Sequence, residues 1–358
     1  MKSKLRAAIV GYGKMGKIRE GCILNHPSLE LVGLCDSSEN THTHSKVPVC
    51  TNYKELIQTK PDLVFICTPN AYSPEITCFF LNKKIHVFCE KPPGTCKEDI
   101  AEMIQAENLN SGTLLKFGFN HRYHDPVIEA KAMIDKGRFG RILWLRGVYG
   151  KSGAPGYENL WRNRKELSGG GILIDQGIHM LDLFRLFCGE FDEINSFIGT
   201  FYWPVQVEDN AFALLRNQAG QVAMLHSSAT QWQHKFLLDI YLEKGYLSIS
   251  GILSSTRTYG TESLKIARCI YDQEGYPQPN PEETVTYYDE DKSWEREVNE
   301  FVDCILKEKP IEVGFSLDAF RTMELVEKVY SADKKWKHAI KSINLEADKK
   351  YEKSSITR

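Results

Sequence analysis

The 358-residue chain has no apolar run long enough to span a bilayer, no excess of charge of one sign, no internal repeat and no low-complexity segment. Each absence removes a class of protein. A spanning helix needs roughly 20 mostly apolar residues in a row. The first apolar segment, AAIV within MKSKLRAAIVGYGKMG, gives way at once to glycines and lysines, which also makes it too short for an export signal. Forty-five basic against 47 acidic residues leave a net charge of -2, so neither nucleic acid nor a membrane surface is indicated as a partner. Ten cysteines are scattered without a C-x-x-C spacing, and Cys35, Cys67 and Cys89 lie in strand-like apolar runs. Buried, reduced thiols in a cytoplasmic protein are therefore expected.

The length exceeds what one hydrophobic core usually supports, so two domains with a cleft between them are the starting expectation. Up to about residue 120, short apolar runs (RAAIV, LELVGLC, DLVFIC, KIHVFC, TLLKFGF) alternate with amphipathic stretches (KMGKIREGCILNHP, NYKELIQT, SPEITCFFLNKK, KEDIAEMIQAENLN). That rhythm predicts β-α units and a parallel sheet covered on both sides. Beyond Asn120 come a helix in DPVIEAKAMIDKG, a strand in RILWLRGVYG, a Gly-rich polar loop over 151–168 and a helix carrying Asp175 and His179. From about Glu193 to Tyr288, alternation in NAFALLRN, QVAMLHSSATQW, KFLLDIYLE and YLSIS predicts a mostly antiparallel sheet built from hairpins. Two helices follow, in SWEREVNEFVDCILKEK and SLDAFRTMELVEKVYSADKKW. The expected fold is α/β: a dinucleotide-binding domain over 1–122, an α+β domain over 123–340, and a frayed polar tail over 341–358.

GYGKMG follows the first strand and opens a helix. In such a unit Gly11 makes the tight turn, Gly13 lets the backbone approach a pyrophosphate, and Gly16 lets helix and strand pack closely. The intervening Tyr12, Lys14 and Met15 ride on the same loop, whose helix N-terminus offers N–H groups to phosphate. Asp36 stands 20 residues past Gly16 at the end of the second strand, where the adenosine ribose diol needs an acceptor. A carboxylate there repels a 2'-phosphate, and Ser37 and Ser38 supply no arginine, so NAD is preferred over NADP. Thr68, Pro69 and Asn70 end the third strand, and Glu90 and Lys91 the fourth, at the sheet edge where ligands bind in open parallel sheets. A plain turn and a solvated lysine are the bland alternatives.

Asp175 and His179, behind three glycines in SGGGILIDQGIHMLDL, are i and i+4 on a helix, about 5–6 Å apart at Cβ. A histidine there can take a hydroxyl proton at neutral pH, with the carboxylate orienting it or holding a neighbouring hydroxyl. A buried histidine satisfied by its own aspartate is the competing reading. A metal site would need further ligands, and His42 and His44 in THTHS suit a solvated loop better, so no metal is expected. The pair becomes a reaction centre if Lys91 reaches it.

GYGKMG, TPN, EKP, FNHRY and GGGILIDQGIH, in that order, resemble the glucose-fructose oxidoreductase, inositol dehydrogenase and rhizopine-catabolism (Gfo/Idh/MocA) family over nearly the whole chain. The resemblance implies a Rossmann domain followed by a substrate-binding domain with a large open sheet that makes homodimers or homotetramers. It implies an NAD-dependent oxidoreductase acting on a secondary hydroxyl or ketone of a small polyhydroxylated substrate, either a sugar, a sugar derivative such as a nucleotide-linked one, or a cyclitol. A glycosidase using bound NAD and a non-catalytic dinucleotide-binding regulator are the alternatives. Lys91 would position the hydroxyl and stabilise alkoxide charge, His179 would be the acid/base, and Asp175 would bind or orient the substrate. Asn120, Arg122 and Tyr123 would line the cleft, with Trp161 and Arg162 over cofactor or substrate; hinge and packing roles are the alternative for all five. EKPP departs from the pattern in Pro93, which would stiffen the loop after Lys91.

Overall fold

A computed structural model describes residues 4–38, 43, 45–254 and 256–336. The first apolar runs form a parallel sheet because water is excluded from both of its faces: Ala7, Ala8, Ile9, Val64, Phe65, Ile66, Val87 and Phe88 have no exposed surface. The strands and helices alternate as β1 (Leu5–Val10), α1 (Lys14–Asn25), β2 (Leu29–Cys35), β3 (Val49–Cys50), β4 (Leu63–Ile66), α2 (Ser73–Leu81), β5 (His86–Glu90), α3 (Lys97–Leu109) and β6 (Leu115–Gly118). Their spatial order, β3-β2-β1-β4-β5-β6, reverses direction between β1 and β4, and a ligand crevice opens outside the strand ends at such a switch. One helix reading fails. NYKELIQT forms a 3-10 segment, Tyr53–Thr59, because the Asn52 side chain caps Lys54 N and Lys60 turns left-handed with φ 49°.

The second half begins with α4 (Asp125–Asp135) and β7 (Ile142–Gly150), followed by α5 (Lys165–Ser168), a π-helical turn at Leu173–Gly177 and α6 (Ile178–Cys188). Then come β8 (Glu193–Gly199), β9 (Asn210–Arg216), β10 (Val222–Ser228), β11 (Lys235–Leu242), β12 (Gly245–Ser250), β13 (Glu262–Arg268), β14 (Glu283–Tyr288), α7 (Ser293–Lys307) and α8 (Ser316–Ala332). The eight strands pair in the order β14-β13-β12-β11-β7-β10-β9-β8. Only β7 and β10 run parallel. Alternation along β9 buries Ala211, Ala213 and Leu215 against the helices and turns Phe212 and Leu214 outward.

The packing departs from a division at residue 122. Val298, Phe301 and Val302 of α7 join the cluster of Ala7, Ile9, Phe65 and Phe88 under the first sheet, each such side chain contributing about 1.5–3 kcal/mol of burial. Arg19 of α1 fastens the join, reaching Glu297 of α7 at 2.7 Å and Glu90 at 2.6 Å with no solvent exposure. The dinucleotide-binding layer is therefore completed by a helix from the far end of the chain. His42, His44 and the tail from 341 lie outside the described residues. Among the described residues no helix is long and apolar enough to cross a membrane, and no three His, Cys, Asp or Glu gather to hold a metal.

Candidate active site

The three glycines of GYGKMG differ in what surrounds them. Gly11 has φ +89°, and a Cβ on it would sit 2.7 Å from the Cys67 carbonyl; one on Gly16 would sit 2.2 Å from Gly11 O. A Cβ on Gly13 would meet nothing within 4 Å, so this part of the loop faces open space. The turn aims the N-terminus of α1 at that space, with no side-chain cap and no acid in its first turn, leaving its N–H groups and partial positive charge to an anion. Asp36 closes the loop from the side, accepting from Tyr12 N at 2.6 Å and Ser38 N at 2.9 Å. A cavity of about 520 Å³ runs from Gly11, Gly13, Lys14 and Met15 past Asp36 to Thr68, Pro69, Trp161 and Arg162. Its donor set fits a dinucleotide: phosphates at the helix N-terminus and a ribose diol at Asp36, with no arginine beside Asp36 among the described residues to hold a 2'-phosphate.

Three expected cofactor contacts turn inward instead. The Tyr12 hydroxyl donates to Glu20. The Asn70 amide donates to Ser168 O at 2.8 Å, and Glu90 is taken up by Arg19. Asn70 and Glu90 are buried, and buried polar groups must find partners within the protein. They hold the strand ends in place rather than line the cavity.

The three glycines before Asp175 are each crowded by a different neighbour: Gly169, with φ +80°, by Thr95, Gly170 by the Tyr330 hydroxyl and Gly171 by Glu208. A Cβ on Gly171 would lie 2.0 Å from Glu208 O, and the buried Glu208 carboxylate accepts from Gly171 N and Leu173 N at 2.9 Å and from the Tyr330 hydroxyl at 2.7 Å. The chain thus enters its π-helical turn pinned from below. Asp175, in that turn, projects among three cations: Lys151 Nζ at 2.5 Å, Arg162 Nε at 3.2 Å and Lys91 Nζ at 3.8 Å. Lys91 also donates to the Asp175 carbonyl at 2.7 Å. Burial pushes the Asp175 carboxyl up, but Lys151, Arg162 and Lys91 outweigh it and hold the group well below the usual carboxylate range. Burial draws the Lys91 ammonium down to about 8 against the pull of Asp175, and Arg162 and Lys151 add to the fall.

Lys91 therefore reaches the segment, but the expected Asp175–His179 pair does not form. The carboxylate is spent on cations, and His179 Nδ1 is buried with no hydrogen-bond partner among the described residues. The imidazole instead lies flat on His121, ring centroids 3.6 Å apart and planes 16° from parallel. Burial, then Lys91 and His124, keep His179 well below its ordinary pKa, so it is neutral and able to accept a proton.

FNHRY contributes differently from the expectation. Arg122 is bound to Asp182 at 2.5 Å and Asp318 at 2.8 Å, and Tyr123 to Lys116 at 2.8 Å and to Glu300. Both are packing residues turned from the cleft. Asn120 donates to Ser293 Oγ at 3.1 Å. The residue facing the centre is His121, which sequence reasoning passed over although it stands inside the motif. Lys151 was passed over too; its signal was its place immediately after a strand, at the mouth of the Gly-rich loop. Trp161 and Arg162 do line the cavity, the guanidinium 4.5 Å over the indole ring. Arg162 touches both the cavity and Asp175 and so links the two.

A parallel sheet with a Gly-rich turn after its first strand, an acid at the end of its second and a crevice at its switch point is a Rossmann dinucleotide-binding fold. Residues 5–117 match the model described as oxidoreductase family, NAD-binding Rossmann fold, and residues 127–248 match the GFO/IDH/MocA C-terminal domain. Together these cover well over half of the chain, which belongs to the GFO/IDH/MocA family. The D-glucoside 3-dehydrogenase of Escherichia coli is 35% identical over 188 residues, 50% of this chain and 53% of that protein. The match thus spans about half the length of that curated relative. A levoglucosan dehydrogenase solved in complex with NADH superposes with a TM-score of 0.81 at 20% identity, covering 93% of this chain and 98% of the other. The myo-inositol 2-dehydrogenase of Lactobacillus plantarum superposes with a TM-score of 0.76 at 25% identity, covering 92% and 97%.

Proposed function

We propose that this chain is an NAD-dependent dehydrogenase that moves a hydride between nicotinamide and a secondary hydroxyl or ketone of a sugar, sugar derivative or cyclitol. The observation that carries the reading is the Lys91–Asp175 contact, joined through Arg162 to the cavity that begins at Gly13 and Asp36, with the buried His179 ring close enough to feel the Lys91 charge. Bound NAD supplies the hydride acceptor. The chain supplies the proton chemistry: neutral His179 takes the hydroxyl proton, and the Lys91 ammonium offsets charge developing on that oxygen. Asp175, held ionised by three cations, accepts a hydrogen bond from a neighbouring substrate hydroxyl. Polyol, sugar and inositol substrates are in keeping with the relatives, and NAD rather than NADP with a carboxylate at Asp36.

We propose further a cytoplasmic homodimer or homotetramer. Ten unpaired cysteines suit a reducing compartment. On the open face of the second sheet, Phe197, Phe212 and Leu214 are exposed side by side, and apolar patches of this kind mark association surfaces. A monomer by light scattering would refute the assembly. The activity is tested by incubating the purified protein with NAD and a panel of sugars, inositols and sugar nucleotides, followed at the NADH absorbance. Reduction with at least one polyol is expected; silence across the panel with NAD and, in reverse, with ketones and NADH would sink the reading.

A further inference from the structure

The His179 ring has an unusual support. A catalytic imidazole is commonly oriented by a carboxylate or carbonyl that accepts from its second nitrogen, yet among the described residues the buried His179 Nδ1 has no partner and Asp175 is occupied by cations. What lies against the ring is His121, stacked at 3.6 Å, with Phe119 edge-on at 6.4 Å.

His121 is itself held on both nitrogens, and its proton can be located. Ser293 Oγ donates to Asp291 at 2.6 Å and so accepts from Asn120 Nδ2 at 3.1 Å. The Asn120 oxygen is then the atom facing His121 Nδ1 at 3.1 Å, which must be its N–H donor. His121 Nε2 is left as an acceptor for the Tyr149 hydroxyl at 3.0 Å. The network is complete with a neutral His121, and a second proton would break the Tyr149 bond or reverse it. The other groups around the pair are Lys91 after β5, Asp175 in the π-helical turn, His124, which meets Glu262 at 3.0 Å, and Tyr149 with Tyr259 beyond it. Burial, then His179, His124 and Lys91, keep His121 itself far below its ordinary pKa.

We infer that His121 is a positioning residue for the His179 acid/base: a neutral ring, locked by Asn120 and Tyr149, that fixes the plane of His179 by stacking in place of a hydrogen-bonded carboxylate. This rests on the reading of His179 as the proton acceptor. The consequence is a catalytic imidazole that is oriented but receives no help in bearing charge, and so stays neutral through physiological pH.

Two substitutions separate stacking from hydrogen bonding. His121→Phe keeps the flat ring and loses both hydrogen bonds; His121→Asn keeps polar contacts and loses the stack. With the substrate found in the panel, His121→Asn is expected to lose about 100-fold in kcat, as misplacing a catalytic group does, with KM little changed, and His121→Phe to recover most of that loss. In parallel, histidine-labelled protein is titrated by NMR, the His179 resonance being the one missing from His179→Ala. His179 should titrate below about 6.5 in wild type and His121→Phe and move up toward about 6.5 in His121→Asn, where water can reach the ring. Equal titration in all three proteins, or His121→Phe as impaired as His121→Asn at unchanged thermal stability, overturns the inference. If no substrate turns over, the dehydrogenase reading fails while the titration still decides the stacking.

Discussion

Replacing Lys91 by methionine tests the site where its geometry is most demanding. Methionine keeps much of the unbranched apolar stem and deletes the ammonium that lies 2.7 Å from the Asp175 carbonyl and 3.8 Å from its carboxylate. If that ammonium steadies negative charge on the substrate oxygen, its loss should cost about 2.7–4 kcal/mol of barrier, or 100- to 1,000-fold in kcat, the usual worth of one preorganised donor at a developing oxyanion. The pH dependence sharpens the test. Burial, against Asp175 and aided by Arg162 and Lys151, draws the ammonium down to about 8. The charged form is therefore complete well below that value and disappears as pH rises through it, so wild-type kcat should fall on the alkaline side. Lys91→Arg, charged at every accessible pH, should show a lower kcat with that alkaline fall removed. Steady-state rates from pH 6 to 10 at saturating substrate read both effects. Lys91→Met within threefold of wild type, or an alkaline limb that survives in Lys91→Arg, would refute the assignment.

Asp36→Ala removes the acceptor for Tyr12 N and for a ribose diol. NADH binding, followed by fluorescence titration, should weaken by about 10- to 100-fold, the scale of a hydrogen bond to a charged group, and preference over NADPH should shrink; an unchanged Kd would remove Asp36 from the cofactor site. Gly171→Ala would force a Cβ to within 2.0 Å of Glu208 O, so it should lower stability to denaturant by about 1–3 kcal/mol or more and loosen the turn that carries Asp175; full stability would show that the glycine at this position has another cause.

The strands of the first sheet were legible because each is apolar along its length, and Asp36 because its distance from Gly16 reflects a fixed β-α-β geometry. The mixed second sheet was legible from alternation along β9 to β12. What escaped depended on partners far away in the chain. Nothing in SWEREVNEFVDCILKEK indicates that Phe301 packs against Phe88 rather than the second sheet. In FNHRY, the choice of Arg122, Tyr123 or His121 to face the cleft is made by Asp182, Asp318 and Glu300, more than 50 residues downstream. The spacing of Asp175 and His179 suggested a mutual pair, but it could not reveal that Lys151 and Arg162 would claim the carboxylate or that His121 would take the imidazole.

The central claim is hydride transfer from a substrate carbon to nicotinamide, with net turnover of cofactor. It is tested most directly with the panel's best substrate carrying deuterium on the carbon to be oxidised. The expected result is deuterium on the nicotinamide ring of released NADH, one per ketone formed, appearing far more slowly but in the same ratio in Lys91→Met and His179→Ala. Product formed with no net NADH, or NADH without the label, would contradict the account.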